Sequence, residues 1–142
     1  MPLVSITRLH LRRWRFLPMF LWQVVRSVLQ ATKADGNLAT RLFRDRGRTF
    51  WTGTVWTNEA AMKGFMLAGA HGRVMRRMLD WCDEAAVVHW TQEHPDFPAW
   101  ENAHARMQRE GRPSKVNHPS PAHSAFAIPQ PRIRRTSELP FK

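Results

Sequence analysis

Four short stretches of the chain have large apolar side chains at alternate positions, with longer segments of helical spacing between them. Stretches of this kind, rich in Val, Ile, Thr and aromatic residues, are typical of β-strands. The pattern predicts strands over residues 3–11, 37–45, 48–57 and 85–92. Within the first stretch the alternation slips between Ile6 and Leu9, which indicates a β-bulge or an early end of the strand.

A first helix is predicted over residues 16–33, where apolar side chains recur at spacings of three and four. These are Leu17, Phe20, Leu21, Val24, Val28 and Leu29. Pro18 is compatible only with the first turn of a helix, so the helix should begin at Phe16 or Leu17. Gly36 supplies the left-handed residue that ends many helices.

A second helix is predicted over residues 58–82, with Thr57 or Asn58 as its N-cap. Its buried stripe should include Phe65 and Cys82. Two glycines, Gly69 and Gly72, weaken it by about 1 kcal/mol each relative to alanine, so we expect a kink or break between them. A shorter outer helix is predicted over residues 98–110.

The order of elements predicts an α+β fold with the ferredoxin-like arrangement β-α-β-β-α-β. The glycine-containing loop 45–48 makes strands two and three an antiparallel hairpin. Strand three is apolar on both sides, with Trp51 and Val55 on one and Phe50 and Trp56 on the other. Helices on one face of the sheet would leave the other face bare, so the sequence predicts that a second subunit covers it in a homodimer.

Composition divides the chain into three parts. Residues 1–95 form the ferredoxin-like α+β barrel domain, residues 96–111 the outer helix, and residues 112–142 a basic arm. The arm is expected to be irregular because proline fixes φ and removes a hydrogen-bond donor. Its prolines are Pro113, Pro119, Pro121, Pro129, Pro131 and Pro140.

The net charge is +11, from 22 Lys and Arg against 11 Asp and Glu. A basic protein attracts nucleic acid, anionic lipid or acidic ligands. Because the arginines are spread along the chain, a generally basic, solvated surface is the favoured interpretation, and a nucleic-acid partner is not expected. A polyanion-binding role would use the basic clusters at the start and in the arm, which are Arg12, Arg13, Arg15, Arg132, Arg134 and Arg135.

Neither a membrane anchor nor a disulfide is expected. The apolar run 16–25 has ten residues, and a bilayer-spanning helix needs about 20. Cys82 is the only cysteine, and its place in an apolar stripe favours a buried small hydrophobe over a reactive thiol. These features favour a cytoplasmic protein.

No metal site is expected from the histidines. His89 and His94 are five residues apart, as are His118 and His123, but neither pair has cysteines or carboxylates at metal-site spacing. Motifs for phosphate-binding loops, nucleophilic serine and zinc fingers are likewise absent from the sequence.

The stretch Val55–Thr57, followed by residues 58–62 and a helix with Phe65 and His71, resembles the dimeric α+β barrel class that includes antibiotic-biosynthesis monooxygenases. The segment FMLAGAHGRVMRRM, residues 65–78, is most similar to spheroidene-monooxygenase-like proteins. The resemblance covers residues 3–92 and implies a homodimer and a mostly apolar pocket between sheet and helices. In this class oxidation proceeds either without a cofactor or with heme, so the cofactor is none or heme.

The resemblance makes His71 the candidate catalytic residue, or the heme ligand if heme is bound. Imidazole can act as acid, base or iron ligand near neutral pH. The candidate substrate-binding residues around it are Trp51, Trp56, Phe65, Met75 and Arg73. Heme-degrading members carry an asparagine on the first strand, a tryptophan in this helix and a histidine one turn beyond the position of His71. Here the strand carries Ser5, Ile6 and Thr7, Phe65 stands near the tryptophan position and Met75 near the histidine position. Heme degradation by that mechanism is therefore not expected.

Two functions of different classes fit these observations. The leading hypothesis is monooxygenase-like oxidation of an apolar or aromatic small molecule. The alternative is a non-catalytic module of the same fold that binds a small ligand or another protein. Solvated helix faces and aromatic core packing would account for the same residues without any site.

Overall fold

The computed structural model describes residues 1–67, 76–77, 80–133 and 138–141. Within them the strands are β1 (Leu3–Leu11), β2 (Asn37–Arg44), β3 (Thr49–Trp56), β4 (Cys82–Thr91), β5 (Arg112–Pro113) and β6 (Glu138–Pro140). The helices are α1 (Leu17–Lys33), α2 (Glu59–Met66), α3 (Trp100–Glu110) and α4 (Pro121–Ser124), and a short 3₁₀ turn (Trp14–Phe16) precedes α1.

The strands form one antiparallel sheet in the order β5-β4-β1-β3-β2-β6. Its four long strands have the order 4-1-3-2, which confirms the predicted α+β, ferredoxin-like arrangement. β1 occupies the central position, paired with β3 on one side and β4 on the other. Residues from three neighbouring strands therefore meet on each face of the sheet around β1.

The structure corrects two boundaries. β4 begins at Cys82 rather than at residue 85, so the preceding helix cannot extend to Cys82 as predicted. The bulge lies at His10 and Leu11 rather than between Ile6 and Leu9, because Asp83 is an extra residue in β4 there. The predicted kink at Gly69 or Gly72 lies outside the described residues.

Two turns and one helix cap each depend on a single residue. Gly36 and Gly47 have φ of +86° and +56°, a left-handed conformation that side chains disfavour; Gly36 lies in the turn between α1 and β2, and Gly47 in the β2–β3 hairpin. Asn58 caps α2, its side-chain oxygen accepting a hydrogen bond of 2.9 Å from the backbone N–H of Ala61.

One face of the sheet, which we call the helix face, is covered by α1 and α2. The apolar side of α1 packs there through Phe20, Val24 and Val28 against side chains such as Phe50. α2 packs nearer the other end of the sheet, where Phe65 stacks on Trp56. No helix among the described residues is both long and apolar enough to cross a membrane.

The opposite face is covered by the chain itself, which corrects the expectation that it is bare. α3 packs on it through Trp100, Ala103 and Met107, against a cluster that includes Trp51 and Phe43. The rings of Phe43 and Trp100 are stacked with centroids 5.1 Å apart. The apolar side chains that motivated a homodimer are therefore buried within one chain, and this face gives no reason to invoke a second subunit.

The C-terminal arm is tied to both edges of the sheet. β5 pairs with β4, and β6 pairs with β2. The Glu138 carboxylate accepts hydrogen bonds from Arg41 on β2 (2.6 Å) and from Trp100 on α3 (3.0 Å). Asp45 accepts one from the backbone N–H of Arg132 at 2.9 Å. Each edge strand is paired over two or three residues with a short, proline-containing segment, so part of each edge is closed to pairing with other chains.

Candidate functional site

A cavity of about 330 Å³ lies between the helix face of the sheet and helices α1 and α2. The sheet forms its floor, the two helices form its walls, and residues 112–116 of the arm border it at the β4 edge. This size falls at the lower end of the range typical of small-molecule sites. Apolar side chains dominate the walls, namely Val24, Val28, Ala31, Met62, Phe65, Met66 and Trp56.

Polar side chains cross the floor in a straight row. Thr40 lies opposite Thr54 across β2 and β3, and Thr54 lies opposite Ser5 across β3 and β1. Ser5 in turn lies opposite His89 across β1 and β4. Directly opposed residues point to the same face of a sheet, so this register places three hydroxyls and one imidazole side by side below the cavity.

A second row beside it continues the polar surface. Thr52 lies opposite Thr7, and Thr7 lies opposite Val87. A sheet face that packs on helices ordinarily carries aliphatic side chains, because each buried hydroxyl needs a hydrogen-bond partner. Ser5, Thr7, Thr52 and Thr54 are only partly buried here, since they face the cavity rather than a helix. A ligand with polar atoms could therefore form hydrogen bonds to this floor.

Some of these groups are already engaged. The Thr54 hydroxyl accepts a hydrogen bond of 2.7 Å from the indole N–H of Trp56. Thr40 donates to the side-chain oxygen of Asn37 at 3.1 Å. Both bonds hold the row in place at its β2 and β3 end. At the β4 end the row finishes on His89.

His89 is the one histidine that lines the cavity among the described residues. Its Nε2 atom is buried and has no hydrogen-bond partner within that part of the chain. Burial lowers the pKa of His89, the positive charge of Arg112 lowers it further, and Glu59 partly opposes both. The imidazole is therefore neutral at pH 7, and a neutral imidazole can accept a proton, donate a hydrogen bond or ligate a metal.

The rim beside His89 is cationic. Arg112 and Lys115 border the cavity and are themselves exposed. Apolar walls, a hydroxyl-lined floor and two cations at the opening match an aromatic or aliphatic ligand that carries hydroxyl, carbonyl or acidic groups at one edge.

The structure brings two of the sequence-predicted substrate residues together. The rings of Trp56 and Phe65 are stacked with centroids 5.3 Å apart, and both line the cavity. Trp51 does not line it, because residue 51 points to the opposite face of β3 from residue 56, and its ring packs against Trp100 and His104. Trp51 is therefore part of the core under α3.

The other three, His71, Arg73 and Met75, lie outside the described residues. Sequence analysis considered His89 only as a metal ligand and missed it as a cavity residue. A signal was present, because Ala85, Val87 and His89 alternate with Ala86 and Val88 in β4. That alternation places His89 on the same face as Ala85 and Val87, and the register with β1 shows that the helices cover this face.

The described residues contain a second cluster of titratable groups, at the β-bulge. His10 Nδ1 is 2.6 Å from Asp83 Oδ1 and 3.5 Å from Glu84 Oε2. Buried Arg8 donates a hydrogen bond of 2.9 Å to Glu84. The Glu84 carboxylate is thus already paired with a guanidinium, and the cluster links β1 to β4 across the bulge.

Solved structures share the fold of this chain. An antibiotic biosynthesis monooxygenase superposes with a TM-score of 0.58 at 17% identity, covering 65% of this chain and 99% of its own. Rv0793 from Mycobacterium tuberculosis gives a TM-score of 0.61 at 11% identity, with 66% and 97% covered. SnoaB, a cofactor-independent oxygenase from Streptomyces nogalater, gives 0.53 at 14% identity, with 66% and 94% covered.

At these identities the matches establish the fold, which is that of the antibiotic-biosynthesis-monooxygenase class predicted from the sequence. The narrower resemblance to spheroidene-monooxygenase-like proteins stays a prediction. No curated protein matches the chain. The sequence model of one family matches residues 17–132, which is most of the chain. The protein therefore belongs to the family described as a domain of unknown function, DUF3291.

Proposed function

We propose that the protein oxidises an apolar or aromatic small molecule in the cavity between the sheet and helices α1 and α2. The observation that carries this proposal is the polar row that ends on neutral His89 beneath apolar walls. A purely structural interior would place aliphatic side chains on this floor. Fold neighbours described as a monooxygenase and as a cofactor-independent oxygenase agree with the proposal.

The reaction we propose uses molecular oxygen as oxidant and the substrate itself as reductant. An acidic C–H bond next to an electron-rich ring breaks, and its proton goes to His89. The resulting carbanion gives electrons to oxygen, one oxygen atom bonds to that carbon, and the other leaves as water. For a methylene group the balance is CH₂ + O₂ → C=O + H₂O, so no external reductant is needed.

Each part of the site has a role in this scheme. His89 accepts the substrate proton and later returns it to the departing oxygen. The hydroxyls of Ser5 and Thr7 hydrogen-bond to the negative charge that develops on the substrate oxygen. Trp56 and Phe65 hold the ring. His71, the catalytic residue predicted from the sequence, remains a second candidate base within this proposal, as Arg73 and Met75 remain candidate substrate contacts.

Heme is the cofactor option that the fold class adds. If heme were bound, the buried, unpartnered Nε2 atom of His89 would be available to hold the iron, and Arg112 and Lys115 at the rim would be placed to pair with its carboxylates. When bound, heme would supply an iron centre that activates oxygen. His89 would then hold the iron instead of accepting the proton, and the same walls would exclude water.

The test uses an anthrone as probe, because it is aromatic and carries an acidic methylene group. Oxygen uptake and product formation are followed with purified wild-type protein, with and without added hemin. We expect His89→Ala to lower turnover by about 10²–10⁴-fold, the usual contribution of a general base, while probe binding is retained. His94→Ala is the matched control, because that imidazole is 61% exposed outside the cavity.

Phe65→Ala should weaken probe binding and turnover together, because it removes a wall of the cavity. Binding without oxygen uptake in any form of the wild type would favour the alternative function, a non-catalytic ligand-binding module. Full activity of His89→Ala with loss of activity in His71→Ala would move the base to His71. A Soret band after hemin addition that disappears in His89→Ala would select the heme-dependent form.

A further inference from the structure

We propose that the outer surface of α1 docks on an anionic lipid surface. The side chains involved form what we call the α1 stripe, namely Met19, Trp22, Arg26, Leu29 and Lys33. With 100° of rotation per residue, all five lie within about 40° of one line along the helix. They point away from the sheet, since the opposite side of α1 is packed in the core.

The apolar members of the stripe are exposed to an unusual extent. Trp22 is 62% exposed, Met19 49% and Leu29 44%, and Trp14 in the 3₁₀ turn before the helix is 53% exposed. Exposed large apolar side chains that line up on one face mark an interaction surface. Tryptophan in particular favours the interface between lipid headgroups and acyl chains.

The charge on α1 and on the segment just before it is positive. Residues 12–33 contain five Lys and Arg and no Asp or Glu, and the first acidic residue, Asp35, follows the end of α1. Arg26 and Lys33 alternate with the apolar members of the stripe, and Arg13 and Arg15 are exposed in the segment just before α1. An apolar face edged by cations, with no acidic residue, is the pattern of helices that lie in an anionic membrane surface.

The alternatives fit this surface less well. A second copy of the chain would bring two positive stripes together, which like-charge repulsion opposes. Nucleic acid would satisfy the cations, but Met19 and Leu29 have neither an aromatic ring for stacking nor a hydrogen-bonding group for bases. A bilayer offers negative headgroups to the arginines and an apolar layer to both aliphatic side chains. This surface is separate from the cavity, so the inference does not depend on the proposed oxidation.

Vesicle co-sedimentation of the full chain tests the proposal. Phosphatidylcholine vesicles with 30% phosphatidylglycerol should bind at 0.1 M salt, and pure phosphatidylcholine vesicles should bind at least about tenfold more weakly, since each nearby cation contributes about fivefold. Trp22→Ser should weaken binding about tenfold without changing the melting temperature, because the ring is exposed. Brominated lipid should quench fluorescence in the wild type more than in Trp22→Ser.

The charge control compares two reversals on opposite sides of the sheet. Arg26→Glu should weaken vesicle binding about twentyfold, whereas Arg109→Glu on α3 should change it less than twofold. Equal losses in both variants would overturn the proposal in favour of general basicity, and so would absence of binding to anionic vesicles. A single-stranded oligonucleotide that displaces the vesicles and loses affinity in Trp22→Ser would also overturn it, and would assign the stripe to nucleic acid.

Discussion

At the scale of single residues, the chemistry of the helix face depends on the polarity of side chains that packing alone would make aliphatic. His89 illustrates the energetic consequence. Its imidazole is held neutral by burial and by the charge of Arg112, so protonation is less favourable in the folded chain than in the unfolded one. The stability of the folded chain should therefore depend on pH through this one cavity-lining histidine.

The free energy of unfolding should therefore decrease as the pH is lowered through the range in which His89 becomes protonated. Because its folded pKa lies below the unfolded value of about 6.5, the unfolded chain binds more protons below that pH, and the free energy of unfolding decreases as the solution is acidified. Urea unfolding of wild type and His89→Gln at pH 7.5 and pH 5.5 measures this. The decrease should be smaller in His89→Gln. An equal decrease in both proteins would contradict the assigned environment.

Cys82 should be unreactive in the native protein. Burial, aided by the charge of neighbouring Asp83, raises its pKa to about 12, so almost no thiolate exists at pH 8. We expect Ellman's reagent to modify Cys82 only after denaturation. Rapid modification of the folded protein would mean that the start of β4 opens. Sequence analysis also predicts a buried, inert thiol here, and its burial is confirmed.

At the scale of elements, the packing of the segment between β4 and α3 depends on a missing side chain in β3. A methyl group on Gly53 would overlap the ring of Phe97 and come within 2.9 Å of Ile6 Cδ1. Phe97 in turn packs on Trp100, with centroids 5.1 Å apart. The absence of a side chain at Gly53 thus lets the segment leading into α3 lie flat on the sheet.

Gly53→Ala should lower the free energy of unfolding by about 1–3 kcal/mol, the usual effect of overpacking a core. Gly64→Ala in α2 is the matched control, because a methyl group there meets nothing within 4 Å. Removing a glycine from the helix should raise stability by up to about 1 kcal/mol. Chemical denaturation gives both values, and effects of the same sign would contradict this account.

At the scale of the whole molecule, the chain encloses its own sheet. α3 covers the face opposite the cavity, while β5 and β6 occupy the two edges. Fold neighbours cover only about two thirds of this chain, so roughly a third of it lies outside the shared fold. The sheet face opposite the cavity and part of each sheet edge are thus covered within one chain.

We expect light scattering at micromolar concentration to give a mass near 16.6 kDa, in place of the homodimer predicted from the sequence. A chain ending at residue 95 should instead self-associate or aggregate, because it exposes Trp51 and Phe43, which are otherwise buried. A full-length mass of twice 16.6 kDa would contradict this expectation and restore the dimer.

The sequence by itself determined the order and type of the main elements. Alternation and helical spacing are local properties, and they located β1 and α1 to within a residue or two. The left-handed residue at Gly36, the hairpin loop with Gly47 and a cap at Thr57 or Asn58 were also readable, because each depends on a few neighbouring residues, and the structure selects Asn58 as the cap. The two-sided apolar character of β3 was recognised as well, with Trp51 and Trp56 on opposite faces.

Only the tertiary structure decided what covers each face and which residues share the cavity. The alignment of Thr40, Thr54, Ser5 and His89 arises from the register of four strands that are distant in sequence. No local pattern specifies such a register. The cover over Trp51 likewise comes from α3, about fifty residues away in the chain. An apolar strand demands burial, but whether a partner or its own chain supplies it depends on long-range packing, and that packing is decided by the fold as a whole.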